Sequence, residues 1–151
     1  MNKPKHIDIN NRKALYDYEL LDKYDTGIIL KGTEIKSIRN GLVNLKDGFC
    51  FFKGTELFVK NVHIAAYEHG NIMNHEPLSV RKLLLTKREL HKLLTKVKER
   101  GYTIVPTRMY ISERGFAKLE IALARGKKSF DKRNSIKQKD IKREMDRNDR
   151  Y

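Results

Sequence analysis

Alternation of apolar and polar positions dominates the first 124 residues and predicts a chain built mainly from β-strands. Strands are expected at 16–30, 49–52, 57–59, 62–66, 102–111 and 116–124, with a brief buried run at 81–85. In the last strand Leu119, Ile121 and Leu123 form one face, and the residues between them form the other. Pro106 indicates an edge position or a bulge, and Gly27 indicates a bend.

Two further segments have the apolar spacing of helices. The clearer one opens with a capping box from Thr86 to Glu89 and ends at Gly101. Its apolar stripe consists of Leu90, Leu93, Leu94 and Val97. The other is expected to begin at Thr33 and end at Gly41, with a buried stripe of Ile35, Ile38 and Leu42. A short helical turn is expected at 11–18, capped by Asn10 or Asn11.

This order of elements predicts a mainly β (α+β) domain. The expected fold is an antiparallel β-barrel of the oligonucleotide-binding type with two to three flanking helices. A split sheet with helices packed on one side is the alternative. Phe49, Phe51 and Phe58 are expected in the core, and residues 1–10, which are polar, are expected to be frayed.

The composition changes after the last strand. From Arg125 to Tyr151, eleven Lys or Arg accompany five Asp or Glu, and only five large apolar residues occur. Burial of so few apolar groups does not offset the entropy lost when a chain becomes ordered. We therefore divide the chain into a barrel at 1–125 and a basic tail at 126–151, disordered alone and helical when bound.

The charge of the whole chain indicates a polyanionic partner. Lys and Arg total 33 against 19 Asp and Glu, a net charge of +14, which makes nucleic acid the first hypothesis. An anionic membrane surface is the weaker second hypothesis, because no window approaches the roughly 20 apolar residues of a spanning helix. The lone Cys50 and the polar N-terminus favour a reducing, cytoplasmic location.

Signals for catalysis are poor. No pair among the five histidines has the spacing of a zinc-binding helix, and Gly126-Lys-Lys-Ser lacks the earlier glycine of a phosphate-binding loop. Asp17 and Asp25 lack an accompanying nucleophile motif. We therefore expect no enzyme activity, no metal and no cofactor.

Signals for RNA binding are better. Basic residues are interleaved with aromatic residues that can stack on unpaired bases. Lys36, Arg39 and Asn40 share one helix face, which is either an ordinary solvated face or a phosphate-gripping one.

Five sequence blocks occur in order: Asn11-Arg-Lys-Ala, Gly32-Thr-Glu-Ile-Lys-Ser-Ile-Arg-Asn-Gly, Asn44-Leu-Lys-Asp-Gly, Arg81-Lys-Leu-Leu-Leu and Ile121-Ala-Leu-Ala-Arg-Gly-Lys-Lys-Ser-Phe-Asp-Lys-Arg. Together they resemble the small protein B family, the bacterial partner of transfer-messenger RNA (tmRNA). The resemblance covers about residues 10–143. It implies a barrel that binds the tRNA-like domain of tmRNA and delivers this RNA, charged with alanine, to stalled ribosomes for trans-translation.

The resemblance also implies site residues. The RNA-contacting positions would be Asp25, Lys36, Ser37, Arg39, Asn40, Leu84, Thr86 and Lys118. Asp25 stands where the family often has Glu, and Thr86 where it often has Asn or His; Thr86 also has a structural reason as a helix cap. The tail positions that would engage the decoding centre and mRNA channel of the ribosome are Gly126, Lys127, Lys128, Phe130, Asp131, Lys132, Arg133, Ile136 and Lys137.

The sequence therefore predicts a monomeric, non-catalytic adaptor for ribosome rescue. A general single-stranded RNA-binding module is the alternative. A rival from another class is an RNA-modifying or RNA-cleaving enzyme that uses Asp17, Asp25 and a histidine.

Overall fold

The part of the chain that the structure describes forms nine strands and three helices. The structure, a computed structural model, describes residues 7–68 and 74–126. Strands β1 to β9 span Asp8–Asn10, Tyr18–Ile28, Val43–Asn44, Phe49–Lys53, Glu56–Lys60, His63–Ile64, Arg81–Leu84, Thr103–Ile111 and Ala117–Gly126, in that order. Helices α1 to α3 span Arg12–Asp17, Gly32–Arg39 and Lys87–Arg100.

Six of the strands close into a ring. Hydrogen bonding runs through β8, β4, β5, β7, β2 and β9 and returns to β8, with every pair antiparallel. Strand β1 adds to the free part of β8, and β3 pairs with β6 in a separate two-stranded sheet. The ring confirms the antiparallel barrel and excludes the split sheet.

The inward face of β9 forms much of the core, as the alternation predicts. Leu119, Ile121 and Leu123 are at most 1% exposed. Ala124, on the outward face of β9, is also buried, because α1 covers this part of the barrel and packs Ala14 against Ala124 and Val105. Complete burial of each Leu or Ile side chain of this core contributes roughly 1.5–3 kcal/mol to folding.

Local capping signals are confirmed at α1 and α3. The Asn11 side chain accepts a hydrogen bond from the Ala14 N–H, and its amide donates to the carbonyls of Leu45 and Pro106. Thr86 and Glu89 form the predicted capping box, and Gly101 ends α3 with a left-handed φ of 67°. The bulge predicted at Pro106 is also present, between Pro106 and Arg108.

The cap of α2 differs from the prediction. Its first turn is capped by Glu34, whose carboxylate accepts the Lys31 N–H at 2.8 Å, and the Thr33 hydroxyl instead contacts Nδ1 of the buried His75 at 2.8 Å. Leu42, predicted to be buried, is 49% exposed, because the helix ends at Arg39 and the chain turns away.

Three other expectations are wrong in detail. Residues 8–10 are ordered as β1, because they pair with β8. The irregularity of β2 lies between Leu20 and Lys23, not at Gly27. Phe49, Phe51 and Phe58 lie half-buried on the outside of the barrel, because Cys50, Leu57 and Val59 fill the inward positions of the same hairpin.

A buried ion pair joins α2 to the barrel. The Arg81 guanidinium binds the Glu34 carboxylate, and both residues are 3% exposed. Arg81 also donates to the carbonyls of Val62 at 2.8 Å and Pro77 at 3.1 Å. These bonds satisfy a buried charge that would otherwise cost several kcal/mol.

β9 includes both Arg125 and Gly126, which pair with Glu19 and Tyr18 of β2. Gly126, predicted to be the first residue of the tail, therefore belongs to the barrel. The tail positions from Lys127 to Lys137 lie outside the described residues, as do His6 and His69. Within the described ranges, the helices are too short or too polar to cross a membrane.

Candidate RNA interface

The register of the sheet places Leu84, Gly27, Lys118 and Tyr110 in one line across β7, β2, β9 and β8. We call this line the strand row. Directly paired residues of an antiparallel sheet point to the same face, here the outside of the barrel. Leu84 is 51% exposed, so the row presents an apolar group at one end and a cation near the other.

Gly27, at the centre of the strand row, allows the Leu84 side chain to pack closely against β2. A Cβ atom added at this position would lie 3.3 Å from the Leu84 Cβ, closer than ordinary van der Waals contact. The glycine thus makes room for the Leu84 side chain, whose Cδ1 and Cγ atoms would lie 3.5 Å and 3.8 Å from the added Cβ.

A second line carries charge. Asp25, Glu120 and Arg108 are paired across β2, β9 and β8, one step along from the strand row. Arg108 contacts Asp8 at 2.7 Å and Glu120 at 3.6 Å, and Lys23 lies 3.7 Å from Glu120. Acidic and basic side chains alternate along this line, so this part of the surface does not carry a uniform positive charge.

Tyr110 connects the two lines. Partial burial raises the pKa of its phenol, and the Asp25 carboxylate raises that pKa further through its charge and a hydrogen bond. The Arg108 guanidinium lies 4.3 Å from the centre of the Tyr110 ring. Asp25, an exposed carboxylate beside the Tyr110 phenol, can accept hydrogen bonds from ribose hydroxyl or base amino groups.

Thr86 lies at the edge of this surface, two residues beyond Leu84. Its hydroxyl accepts the Glu89 N–H at 3.2 Å and donates to the Glu89 carboxylate at 2.9 Å. Both interactions belong to the α3 cap, so the structure gives the Thr86 hydroxyl a role within the fold.

The helix α2 carries the remaining positions that the resemblance implies. Lys36, Arg39 and Asn40 are exposed, and the Lys36 ammonium lies 5.2 Å from the Tyr67 ring centre. Ser37 is completely buried, and its hydroxyl oxygen has no hydrogen-bond partner. A side chain in that position does not reach a ligand on the surface, so we remove Ser37 from the candidate contact set.

The register therefore brings together Asp25, Leu84 and Lys118, which are far apart in sequence. The sequence-based prediction did not include Arg108 and Glu120, which form the charged line beside the strand row together with Asp25. Their signal was available in the period-two alternation of β8 and β9, where 108, 110, 118 and 120 all fall on the outward face.

The two carboxylates of the alternative enzyme hypothesis, Asp17 and Asp25, lie on different elements of the fold. Asp17 belongs to α1 and lines a polar cleft of about 320 Å³ with Lys13, Lys46 and Asp47, whereas Asp25 lies on the outward face of β2. Across residues 7–68 and 74–126, no three His, Cys, Asp or Glu side chains are grouped closely enough to hold a metal ion.

Comparison with known proteins identifies the family. A family profile described as SmpB protein matches residues 8–151. The SsrA-binding protein of Cytophaga hutchinsonii is 53% identical over 95% of this chain and 94% of its own. That of Phocaeicola vulgatus is 55% identical over 96% of this chain and 97% of its own.

A solved structure is also similar. It is described as "tmRNA-SmpB: a journey to the center of the bacterial ribosome", is 49% identical, and matches with a TM-score of 0.69 over 82% of this chain and 86% of that one. Agreement in sequence along nearly the whole chain and in fold leads to one conclusion: the protein belongs to the SmpB protein family.

Proposed function

We propose that the protein binds transfer-messenger RNA and delivers it, charged with alanine, to stalled ribosomes for trans-translation. The observation that carries this proposal is the strand row with Asp25 beside it, an open surface in a chain whose relatives are SsrA-binding proteins. The similar solved structure, described as tmRNA-SmpB in the ribosome, supports the same partners.

In this proposal the barrel recognises the tRNA-like domain of tmRNA by shape and charge. The exposed Leu84 side chain contacts a sugar or base face, Lys118 binds a phosphate, and Asp25 accepts hydrogen bonds. The exposed face of α2, with Lys36, Arg39 and Asn40, follows the backbone of the same RNA. The protein acts as an adaptor, not as an enzyme, and uses neither a metal nor a cofactor.

The tail has a separate role in the proposal. Residues 1–126 act as the tmRNA-binding barrel, because β9 includes Gly126, and the tail beyond Gly126 becomes helical in the empty mRNA channel and reaches the decoding centre. Support comes from the basic composition of the tail. Action on ribosomes would place the protein, as a monomer, in the cytoplasm.

Competition binding tests the choice between a specific adaptor and a general RNA module. Labelled tmRNA bound to the full-length protein is competed with unlabelled tmRNA and with an arbitrary single-stranded RNA of equal length. We expect displacement by unlabelled tmRNA at much lower concentration. Equal displacement by both RNAs would contradict the adaptor proposal and favour the general module.

Removal of residues 131–151 tests the proposed division of the chain. The shortened protein should bind tmRNA with unchanged affinity but should fail to support addition of the peptide tag on stalled ribosomes in a reconstituted translation reaction. A loss of tmRNA affinity would show that the tail takes part in tmRNA binding and that the division at 126 is wrong.

A further inference from the structure

The outward face of the β4–β5 hairpin carries aromatic rings where a soluble barrel usually carries polar groups. Phe49 and Phe51 alternate with the inward Cys50 along β4, and Phe58 and Lys60 alternate with the inward Val59 along β5. We call Phe49, Phe51, Phe58 and Lys60 the aromatic face. Each of its four side chains is half-buried, so part of each ring is accessible to a partner.

The rings of this face are arranged as a short stack. Phe51 and Phe58, which are paired across the hairpin, have ring centres 5.8 Å apart and planes inclined by 26°. The Lys60 ammonium lies 4.4 Å from the centre of the Phe49 ring and 5.2 Å from that of Phe51. A nucleobase can stack on nearly parallel rings, and a nearby cation can bind the phosphate of the same nucleotide.

The charge around the aromatic face suits a polyanion. Lys53 and Lys82 lie on the same side of the sheet as Lys60, and the acid among these outward positions, Glu56, is bound to Lys82 at 3.0 Å. Flexible cations next to apolar rings are the combination found in surfaces that bind unpaired nucleotides.

The aromatic face is continuous with the strand row. Phe58 is paired with Lys82 of β7, and Leu84, two residues further along β7, begins the strand row. The two surfaces are thus adjacent on the outside of one barrel, and an RNA seated on Leu84 has its neighbouring nucleotides within reach of the hairpin.

We propose that the aromatic face is a second contact for the same RNA, where unpaired bases of tmRNA stack on Phe51 and Phe58 while Lys60 binds their backbone. This inference rests on the proposed function, because continuity with the strand row is what selects tmRNA as the occupant. It adds base stacking to an interface that otherwise depends on Lys118, Asp25 and Leu84.

A fluorescence experiment tests the stacking directly, because the chain contains no Trp. F58W places a single indole on the aromatic face, and L15W places one on α1, at a position where the side chain is 57% exposed. Addition of tmRNA to the full-length variants should quench F58W strongly and leave L15W nearly unchanged. Short oligoadenylate should quench F58W more than an abasic strand of the same length.

Affinity provides the second measurement. The variant F58L keeps an apolar side chain but removes the ring. It should weaken tmRNA binding by at least about fivefold, because one stacked base loses its partner. The control is L15A, which removes an exposed apolar side chain of α1, away from both the aromatic face and the strand row. Thermal unfolding of each variant separates lost binding from lost folding.

The outcomes distinguish the two proposals. If the wild-type protein prefers tmRNA while F58W is not quenched and F58L binds normally, the stacking proposal fails and the adaptor proposal stands. Equal quenching by the abasic strand would also overturn stacking, because a phosphate backbone alone would explain it. If the wild-type protein shows no preference for tmRNA, the adaptor proposal fails, and with it the choice of tmRNA as occupant.

Discussion

The outward face of β8 and β9 differs between its two halves. In one half Ala124 and Val105 are 0% and 2% exposed beneath α1, and the side chains are small. In the other half the side chains of Arg108, Lys118 and Glu120 are long and charged, and no helix of the described fold covers them. We call these the covered half and the open half. The same strands with the same alternation thus serve packing in one place and, in the proposed function, RNA recognition in the other.

The β-bulge of β2 marks the boundary between the halves. Leu20 pairs with Ala124 in the covered half, and Asp25 pairs with Glu120 in the open half, with the register shift between them. Asp22 lies within the bulge and binds Lys96 of α3. Bulges bend a strand and redirect its side chains. This bulge therefore changes the direction of β2 at the point where the strand passes from the covered half to the open half.

The largest expected effect comes from a charge placed in the covered half. Ala124→Lys should lower the free energy of unfolding by about 3–5 kcal/mol, because it buries a cation without a partner. Urea denaturation followed by circular dichroism measures the change. Ala124→Ser, which adds one uncharged polar atom, is the control and should cost about 1–2 kcal/mol. A negligible effect of Ala124→Lys would mean that α1 does not cover this face in solution.

The next effect comes from removal of a charge in the open half. Lys118→Ala should leave stability within about 0.5 kcal/mol of wild type. It should weaken tmRNA binding about five- to eightfold at about 0.1 M salt and lower the salt slope by about one contact. Lys98→Ala, which removes an exposed lysine from α3, is the matched control. An equal loss in both variants would show a general charge effect in place of a contact at Lys118.

A smaller effect is expected within the open half at high pH. The native pKa of Tyr110 is raised, so the stability it contributes is present below the ordinary tyrosine pKa and is lost as pH rises through the native value. Asp25→Asn should lower the Tyr110 pKa toward that of a free tyrosine. NMR titration of ring-labelled tyrosine measures it, and an unchanged Tyr110 pKa would show that Asp25 does not act on the phenol.

The smallest effect is expected at the boundary. The hydrogen bond and charge of Lys96 lower the pKa of Asp22, so this pair stabilises the native state above the ordinary carboxyl pKa and ceases to do so as pH falls through the native value. Because the side chains are 51% and 36% exposed, Asp22→Asn should cost less than about 1 kcal/mol at neutral pH. A larger cost there, measured by urea denaturation, would make the bulge a main support of the fold.

Local patterns predicted much of the fold. The capping box at Thr86 and the alternation of β9 depend on residues close in sequence, and both predictions are confirmed. The predicted cap of α2 at Thr33 was wrong because the Thr33 hydroxyl contacts His75, 42 residues away, which no local pattern shows. Phe51 was assigned to the core because hydrophobicity alone does not tell which face of a hairpin a run of aromatic residues occupies.

The candidate site was predicted by resemblance and completed by register. Leu84 and Lys118 were expected from the family motif, but only the pairing of both with Gly27 shows that they share a face. Ser37 shows the limit of the motif, because a helix face read from the sequence does not tell which of its residues is packed inside. The roles of the tail positions beyond Gly126 stay predictions.

The position of β9 in the ring has a mechanical consequence. This strand is paired along most of its length with β2 on one side and β8 on the other, and the tail continues from its end. A pull on the tail therefore acts along two hydrogen-bonded ladders at once and loads their bonds in parallel. A force perpendicular to the strand would instead separate it from its neighbours by breaking the same bonds one after another. A barrel anchored in this way can bear tension from a tail that is held elsewhere while its own RNA-binding surface keeps its shape.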